Sequence, residues 1–330
     1  MYKCAVVTKK RNQIAWRGFL RPNSSRPFRK VREYFGVVYT NILLLVDFSA
    51  GVFGLKPKLP INVFSSDLFE KSYKRVAIYA GYINTESEMS EAERILKLLS
   101  GEFDLLILVN TGKGELGNNP RNCIQILREN FGRDLASYNY ALDSLQLKNT
   151  SELFFFNDSV FWTGNSIVDF LKSARQKDFD VTALTSSDQY SYHLQSYALH
   201  LKGDVAELTK AFRKIRISNF KRVIVEAGEK RLSQYWIEKN VKLGGVYHQD
   251  SLNPLLAKYK DTYGQDYEYI LDLISQGVPL NPSIHFWAPL YAQSGVVKKA
   301  LLTKNPAQFT NVPQTLMGLQ SLVNRDKSLN

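Results

Sequence analysis

Asn157-Asp158-Ser159 is the triplet in this chain best suited to chemistry. It sets one carboxylate between an amide and a hydroxyl, directly after the apolar run Leu153-Phe154-Phe155-Phe156, and apolar residues resume at Val160-Phe161-Trp162. A carboxylate held there can meet a diphosphate through a metal ion, or a ribose hydroxyl directly. It can equally turn the chain or cap the next helix, and the three residues alone leave both readings open.

Three further groups carry candidate chemistry. In Gly132-Arg133-Asp134 the guanidinium has the fork that holds a phosphate through two bonds, and the acid can accept from a ribose hydroxyl or a base. The same residues also read as an ordinary helix start with an acid in its first turn. In Tyr192-His193-Leu194-Gln195-Ser196-Tyr197, strand alternation predicts His193, Gln195 and Tyr197 on one face, the mixed aromatic and polar lining of a sugar site. A core histidine bonded to a carbonyl is the alternative for His193. Asp188, at a strand end, and Glu226, on a later helix, are candidate general bases. Solvated surface acids look the same in sequence. His200, His248 and His285 have no close partners along the chain and read as structural, and no His, Cys and carboxylate cluster has zinc spacing. Cys4 and Cys123 read as reduced thiols.

The elements that must position these residues alternate from residue 75 onward. Arg75–Gly81 with Tyr82, and residues 103–110, read as buried strands, and Glu86–Leu99 between them as a helix ended by Gly101. The glycine-rich loop 111–117 lacks the Gly-Lys-Ser/Thr ending of a P-loop and reads as a mobile surface loop rather than a phosphate cradle. A short strand over 122–127 and a helix over 135–145 lead to the central strand at 153–156. Beyond it the pattern predicts a helix over 166–175, strands over 179–185 and 192–201, helices over 205–215 and 221–239, a short strand at 244–247, a helix at Asp266–Ser275 and an extended segment at 281–287. Strand and helix alternation predicts an α/β fold whose mainly parallel sheet has helices on both faces.

Length and charge bound the rest. The 330 residues are 44% hydrophobic and 12% aromatic, which excludes a disordered chain. Nine of the twelve net positive charges lie in the first 35 residues, where ten basic residues face only Glu33. Such an arm suits the phosphates of anionic lipid head groups or of nucleic acid. Residues 37–55 are long enough for a bilayer, but Asn41, Asp47 and several small residues favour an in-plane or core segment over a span. The division expected is a basic N-terminal segment, 1–60, with membrane-surface character, and a domain over 61–330.

Gly132-Arg133-Asp134 ahead of an aromatic-bearing helix, Phe156-Asn157-Asp158-Ser159 at a strand end, and Tyr192-His193-Leu194-Gln195-Ser196-Tyr197 follow one another in an order that resembles the rhamnan synthesis F family. Those are glycosyltransferase-like proteins of bacterial polysaccharide assembly. Val223-Ile224-Val225-Glu226, Ile284-His285-Phe286-Trp287 and Asn305-Pro306 extend the resemblance over residues 75–310. It implies a GT-A-like fold and the transfer of a deoxyhexose, rhamnose, from a nucleoside diphosphate sugar to a glycan or lipid-linked acceptor. Under it Arg133, Asp134, Asn157 and Ser159 hold the nucleotide sugar, and His193, Gln195 and Tyr197 line the sugar or acceptor. Asp158, Asp188 and Glu226 then do the chemistry. The usual Asp-x-Asp pair is lacking, so a Mg2+ or Mn2+ cofactor would rest on Asp158 alone. The implied location is cytoplasmic, peripheral at the inner face of the membrane, with no nucleic-acid partner. The alternative is a non-catalytic scaffold, or a nucleic-acid-binding protein that uses the basic arm.

Overall fold

Ile61–Phe64 (β1), Arg75–Gly81 (β2), Leu105–Asn110 (β3), Cys123–Arg128 (β4), Glu152–Asn157 (β5), Val160–Trp162 (β6), Val181–Ser187 (β7), His193–Leu194 (β8), Ala198–Lys202 (β9), Leu243–Tyr247 (β10) and Val296–Lys298 (β11) are the strands of the described residues. The structure is a computed structural model that describes residues 61–64, 71–189, 191–220 and 223–310. The basic arm and the apolar run at 37–55 lie outside the described residues.

Nine strands form one sheet in the order β1-β4-β3-β2-β5-β9-β7-β10, with β8 added beside β7. β6 and β11 make a separate antiparallel ribbon. β4, β3, β2 and β5 run parallel, and so do β7 and β10, while β9 is inserted antiparallel between β5 and β7. From β2 the chain winds outward through β3 and β4, then returns to lay β5 on the other side of β2. The strand order therefore reverses between β2 and β5. In open α/β sheets the crevice outside such a reversal is where ligands bind.

Four helices cover the sheet: α1 (Glu86–Leu99), α2 (Arg133–Asp143), α3 (Ser166–Gln176) and α4 (Lys230–Glu238). α1 and α3 pack with Phe154 and Phe156 on one face, and α2 and α4 pack with Phe155 on the other. This two-sided cover is why β5 is apolar at successive positions, with Leu153, Phe154, Phe155 and Phe156 all fully buried. Phe156 stacks on Tyr79 at 4.6 Å, and Phe155 meets Phe212 at 4.7 Å and Tyr138 at 4.9 Å. Cutting any of these rings to alanine would cost about 3–5 kcal/mol. The strand is thus a rigid mount for whatever follows Asn157. A third core, built on Tyr263, Trp287 and Phe309, holds the C-terminal helices together.

Three local expectations are corrected. The segment 192–201 is not one strand. It breaks into β8 and β9 around a turn at Gln195, Ser196 and Tyr197, because Ser196 is drawn aside by two acids described below. Residues 281–287 are not extended: Asn281 caps a helical turn at Pro282–His285 by accepting the Ser283 N–H, with proline at the first turn. The loop after β3 is fastened rather than loose. The Asn110 side-chain Oδ1 accepts the N–H groups of Ile83 and Gly112 at 2.9 Å, and its Nδ2 donates to the Gly114 carbonyl at 2.6 Å. A Cβ on Gly112 would lie 2.2 Å from the Ile83 carbonyl oxygen, so this glycine permits close approach of two loops.

Candidate functional site

Asp158 follows the last residue of β5, at the reversal of strand order. Its Oδ2 accepts the backbone N–H of Tyr82 at 2.8 Å, and its own N–H donates to the Ala80 carbonyl at 3.2 Å. The exits of β2 and β5 are therefore tied together through this aspartate. Burial, the largest influence, raises the Asp158 pKa above the ordinary carboxylate value, against the pull of the Tyr82 N–H and of Lys299. Beside it, Asn157 Oδ1 accepts both the N–H of Ser159, at 3.0 Å, and its hydroxyl, at 2.5 Å. This Asx-type turn holds the triplet in one shape.

Asn157 also reaches across to α2: its amide donates to Asp134 Oδ2 at 2.5 Å. Asp134 is delivered by Gly132, whose φ of 71° turns the chain into the helix. Burial and then the charge of Glu229 raise the Asp134 pKa. Glu229 Oε1 accepts the N–H of Ser196 at 3.0 Å and its hydroxyl at 2.6 Å, and that hydroxyl lies 3.3 Å from Asp134. One hydroxyl proton cannot serve two carboxylates at once, which accords with a proton being held more readily at Asp134. Glu229 ends a π-helical turn, Ile224–Glu229, that precedes α4. Gly228 in that turn allows the approach, since a Cβ there would lie 2.5 Å from Leu135.

The β6–β11 ribbon brings a cation to the same place. Lys298 Nζ donates to the Ser159 hydroxyl at 2.9 Å and sits 4.1 Å from the centre of the Tyr197 ring. Tyr197 and Gln195 converge on the Thr185 hydroxyl, at 2.7 and 2.5 Å, and Gln195 continues to Asn281 at 3.4 Å. So Asp134, Asn157, Ser159, Ser196, Glu229 and Lys298 form one connected polar group, with Tyr197 stacked against it.

Other expected residues lie elsewhere. Arg133 is exposed, and its Nε donates to the Asn219 carbonyl at 3.3 Å instead of joining Asp134. His193 is buried and its Nδ1 is 2.8 Å from the Ser191 carbonyl, the core alternative; with the strand broken after Leu194, alternation no longer aligns it with Gln195 and Tyr197. Asp188 is half-exposed after β7, and His248, read from sequence as structural, approaches it to 3.1 Å from the end of β10. Burial opposes charge on His248, but Asp188 and Asp250 outweigh it and raise its pKa. Glu226 is nearly covered, with Oε2 accepting from Lys230 at 2.6 Å. His200 bonds Glu152 at the opposite end of the sheet, as a structural histidine does. A cavity of about 280 Å³ is lined by Thr163, Ser166, Asp169, Phe170, Leu184 and Tyr247, and Asp158 does not line it.

Glu229, Ser196 and Lys298 were not singled out from sequence. Glu229 sits three residues from Glu226, and helical spacing alone does not choose between them. Lys298 is 139 residues from Ser159 and nothing local marks it.

Among the described residues no group of three or more His, Cys, Asp or Glu is arranged to hold a metal ion. Asp158 fits a divalent ion as a single carboxylate, with one oxygen already accepting Tyr82; Mg2+ takes so few protein ligands when phosphate oxygens and water complete its shell.

No protein-family model matches this chain. It is similar to the virulence protein VirA of Vibrio anguillarum, 27% identical over 283 residues, covering 76% of this chain and 86% of that protein. Among solved structures it overlaps a mannosyltransferase from Pyrobaculum calidifontis in complex with GDP-Man and Mn2+, with a TM-score of 0.36, 9% identity and 89% of each chain covered. The glycosyltransferase GlyE of Streptococcus pneumoniae overlaps with a TM-score of 0.34 and 13% identity, over 69% of this chain and 54% of that one. A 4-diphosphocytidyl-2C-methyl-D-erythritol synthase from Anaerococcus prevotii gives 0.38 and 12%, over 53% and 89%. Overlaps this partial leave the strand order and the site geometry to carry the functional reading.

Proposed function

We propose that this chain is a glycosyltransferase that moves a sugar from a nucleoside diphosphate to a glycan or lipid-linked acceptor. The observation that carries the reading is Asp158 bonded to the Tyr82 N–H at the reversal of strand order, next in sequence to Asn157 and Ser159 of a group that offers carboxylates, amide, hydroxyl and ammonium. That is the equipment needed by a ligand with ribose hydroxyls at one end and a diphosphate at the other. Tyr82 is half-exposed beside Asp158, and its ring offers a face to a base.

In the transfer, the acceptor oxygen bonds to the anomeric carbon as the bond from that carbon to the diphosphate oxygen breaks. The electron pair leaves with the diphosphate, and the acceptor proton goes to a base. We assign that base to Asp188, supported by His248, because Asp188 is half-exposed whereas Glu226 is nearly covered and paired with Lys230. Asp158 and Asp188 leave the ends of β5 and β7, which have only β9 between them, so the two strands lie about 10 Å apart. A divalent ion, when bound, would be held by Asp158 and would neutralise charge on the diphosphate.

Rhamnose as the sugar rests on the resemblance in Gly132-Arg133-Asp134 and Asn157-Asp158-Ser159. Attachment to a membrane surface rests on the nine net positive charges of residues 1–35. No helix among the described residues is long and apolar enough to cross a membrane.

The test is a thermal-shift screen of the whole chain against UDP, GDP and dTDP sugars, with and without Mg2+ or Mn2+. One of them is expected to raise the melting temperature, and Asp158→Asn to remove that rise. If none of them moves the transition, the reading is wrong.

A further inference from the structure

The β6–β11 ribbon ends in two lysines that adjoin the Asn157-Asp158-Ser159 turn. Val296 pairs with Trp162, Val297 with Phe161 and Lys298 with Val160. Val296, Val297 and Trp162 are buried, so the ribbon is anchored, and the Lys299 N–H closes it on the Ser159 carbonyl at 2.9 Å. Lys298 is the last residue of the extended ribbon, and Lys299 is the first of a short helix, Lys299–Thr303. Lys298 reaches the Ser159 hydroxyl over the Tyr197 ring, in the field of Asp134. Lys299 sits 5.0 Å from the Phe161 ring centre and in the fields of Asp158 and Glu88. The two lysines thus both lie against this turn, each with its ammonium group near an aromatic ring.

A long polar side chain loses conformational freedom when it is fixed in this way. Surface lysines gain little from single carboxylates in return. A doubly charged ligand between them would gain from both at once, since two charge-assisted contacts converge on it. Asp158 supplies only one carboxylate toward a metal ion, so protein-borne cations have a task to perform at this turn. We propose that Lys298 and Lys299 form a diphosphate-binding site, gripping the leaving group of the nucleotide sugar beside Ser159. This inference rests on the nucleotide-sugar reading and adds to it the residues that hold the diphosphate.

Calorimetry on the full chain tests it with UDP, GDP and dTDP and with the matching monophosphates, in EDTA and in Mg2+. For the diphosphate that binds wild type tightest, Lys298→Gln and Lys299→Gln are each expected to weaken binding about ten- to a hundredfold. The matching monophosphate should change by no more than about threefold, and Lys298→Arg should restore most of the loss. Diphosphate binding should persist in EDTA. A lysine that merely propped up the turn would weaken both nucleotides alike, and that outcome overturns the proposal. So does wild-type affinity in both glutamine variants, or diphosphate binding that vanishes in EDTA; in either case the nucleotide-sugar reading still stands. If wild type binds none of the nucleotides, that reading falls and this inference with it.

Discussion

The Tyr82 backbone N–H donates to the Asp158 carboxylate at 2.8 Å across the point where the sheet changes its winding direction. One bond therefore holds the exits of β2 and β5 in fixed relation. Burial raises the pKa of this carboxylate, so carrying a charge here costs the fold stability.

Asp158→Asn and Asp158→Ala separate these roles. The asparagine can still accept from Tyr82 and no longer carries a buried charge, so its melting temperature should equal or exceed that of wild type. Alanine leaves the Tyr82 N–H without its acceptor, a loss of about 1 kcal/mol. Sugar transfer should fall about a hundredfold or more in both. Parallel melts and turnover assays decide it, and full turnover in Asp158→Asn would remove Asp158 from the site.

Gly132 sets where Asp134 goes. Its φ of 71° is left-handed, and an added Cβ would come 2.1 Å from Ile217 Cγ2. Gly132→Ala should therefore destabilise the fold by about 1–3 kcal/mol. It should also disturb the bond from Asn157 to Asp134. Gly101→Ala is the control: nothing lies within 4 Å of its Cβ position, and a change within about 0.5 kcal/mol is expected. Chemical denaturation of both variants measures the difference, and equal effects would refute the steric account.

The acid pair bridged by Ser196 makes a signed prediction. Burial and Glu229 raise the Asp134 pKa, so between the ordinary and the raised value the folded chain holds a proton that the unfolded chain releases. That contribution is fully present below the ordinary value and is lost as pH rises through the raised one. Glu229→Gln removes the second cause, so it should lower the Asp134 pKa and narrow the window. Glu152 and Glu88, whose pKa values are lowered, act in the opposite sense: burial alone would raise both, but hydrogen bonds overcome it. The difference in melting temperature between variant and wild type, followed from pH 3.5 to 8, isolates Asp134. A pH-independent difference would show that the two acids do not interact.

Much of the architecture was legible because it is local. Helix α1 was legible from its apolar side, Ile95, Leu96, Leu98 and Leu99, and its early acids, and the run Phe154-Phe155-Phe156 as a strand covered on both faces. Asp266–Ser275 was likewise readable from its own periodicity. Of the residues singled out from sequence, Asp134, Asn157, Asp158 and Ser159 each lie at the end of such an element. Gln195 and Tyr197 were found for the wrong reason: they meet at Thr185 through a turn, not along a strand face. Lys298 reaches Ser159 only through the pairing of β6 with β11, which no local pattern encodes. Glu226 was chosen on the resemblance of Val223-Ile224-Val225-Glu226, whereas it is Glu229, at the end of the π-helical turn, that reaches Ser196. His248 has no close partner along the chain because Asp188, which it approaches, lies at the end of a different strand.

His285 gives the chain an acid weakness that owes nothing to the site. Its ring is buried in the C-terminal core against Phe309, and Nδ1 lies 3.1 Å from the Asn281 nitrogen and 3.3 Å from the Asn281 carbonyl oxygen. Burial lowers its pKa to about 4, from an ordinary value near 6.5. As pH falls below the ordinary value the unfolded chain takes up a proton that the folded chain refuses, so stability declines until the folded value is reached. The shift corresponds to about 3 kcal/mol lost between those two pH values. His285→Asn keeps an acceptor near the Asn281 N–H and cannot titrate in this range. Its stability should be lower at neutral pH, from the smaller side chain in the core, yet should lack the histidine's share of the fall toward pH 4. Urea denaturation of wild type and variant at half-unit steps from pH 7 to 4.5 reads this directly. Parallel curves over that range would mean that the buried ring accepts its proton without opening the core.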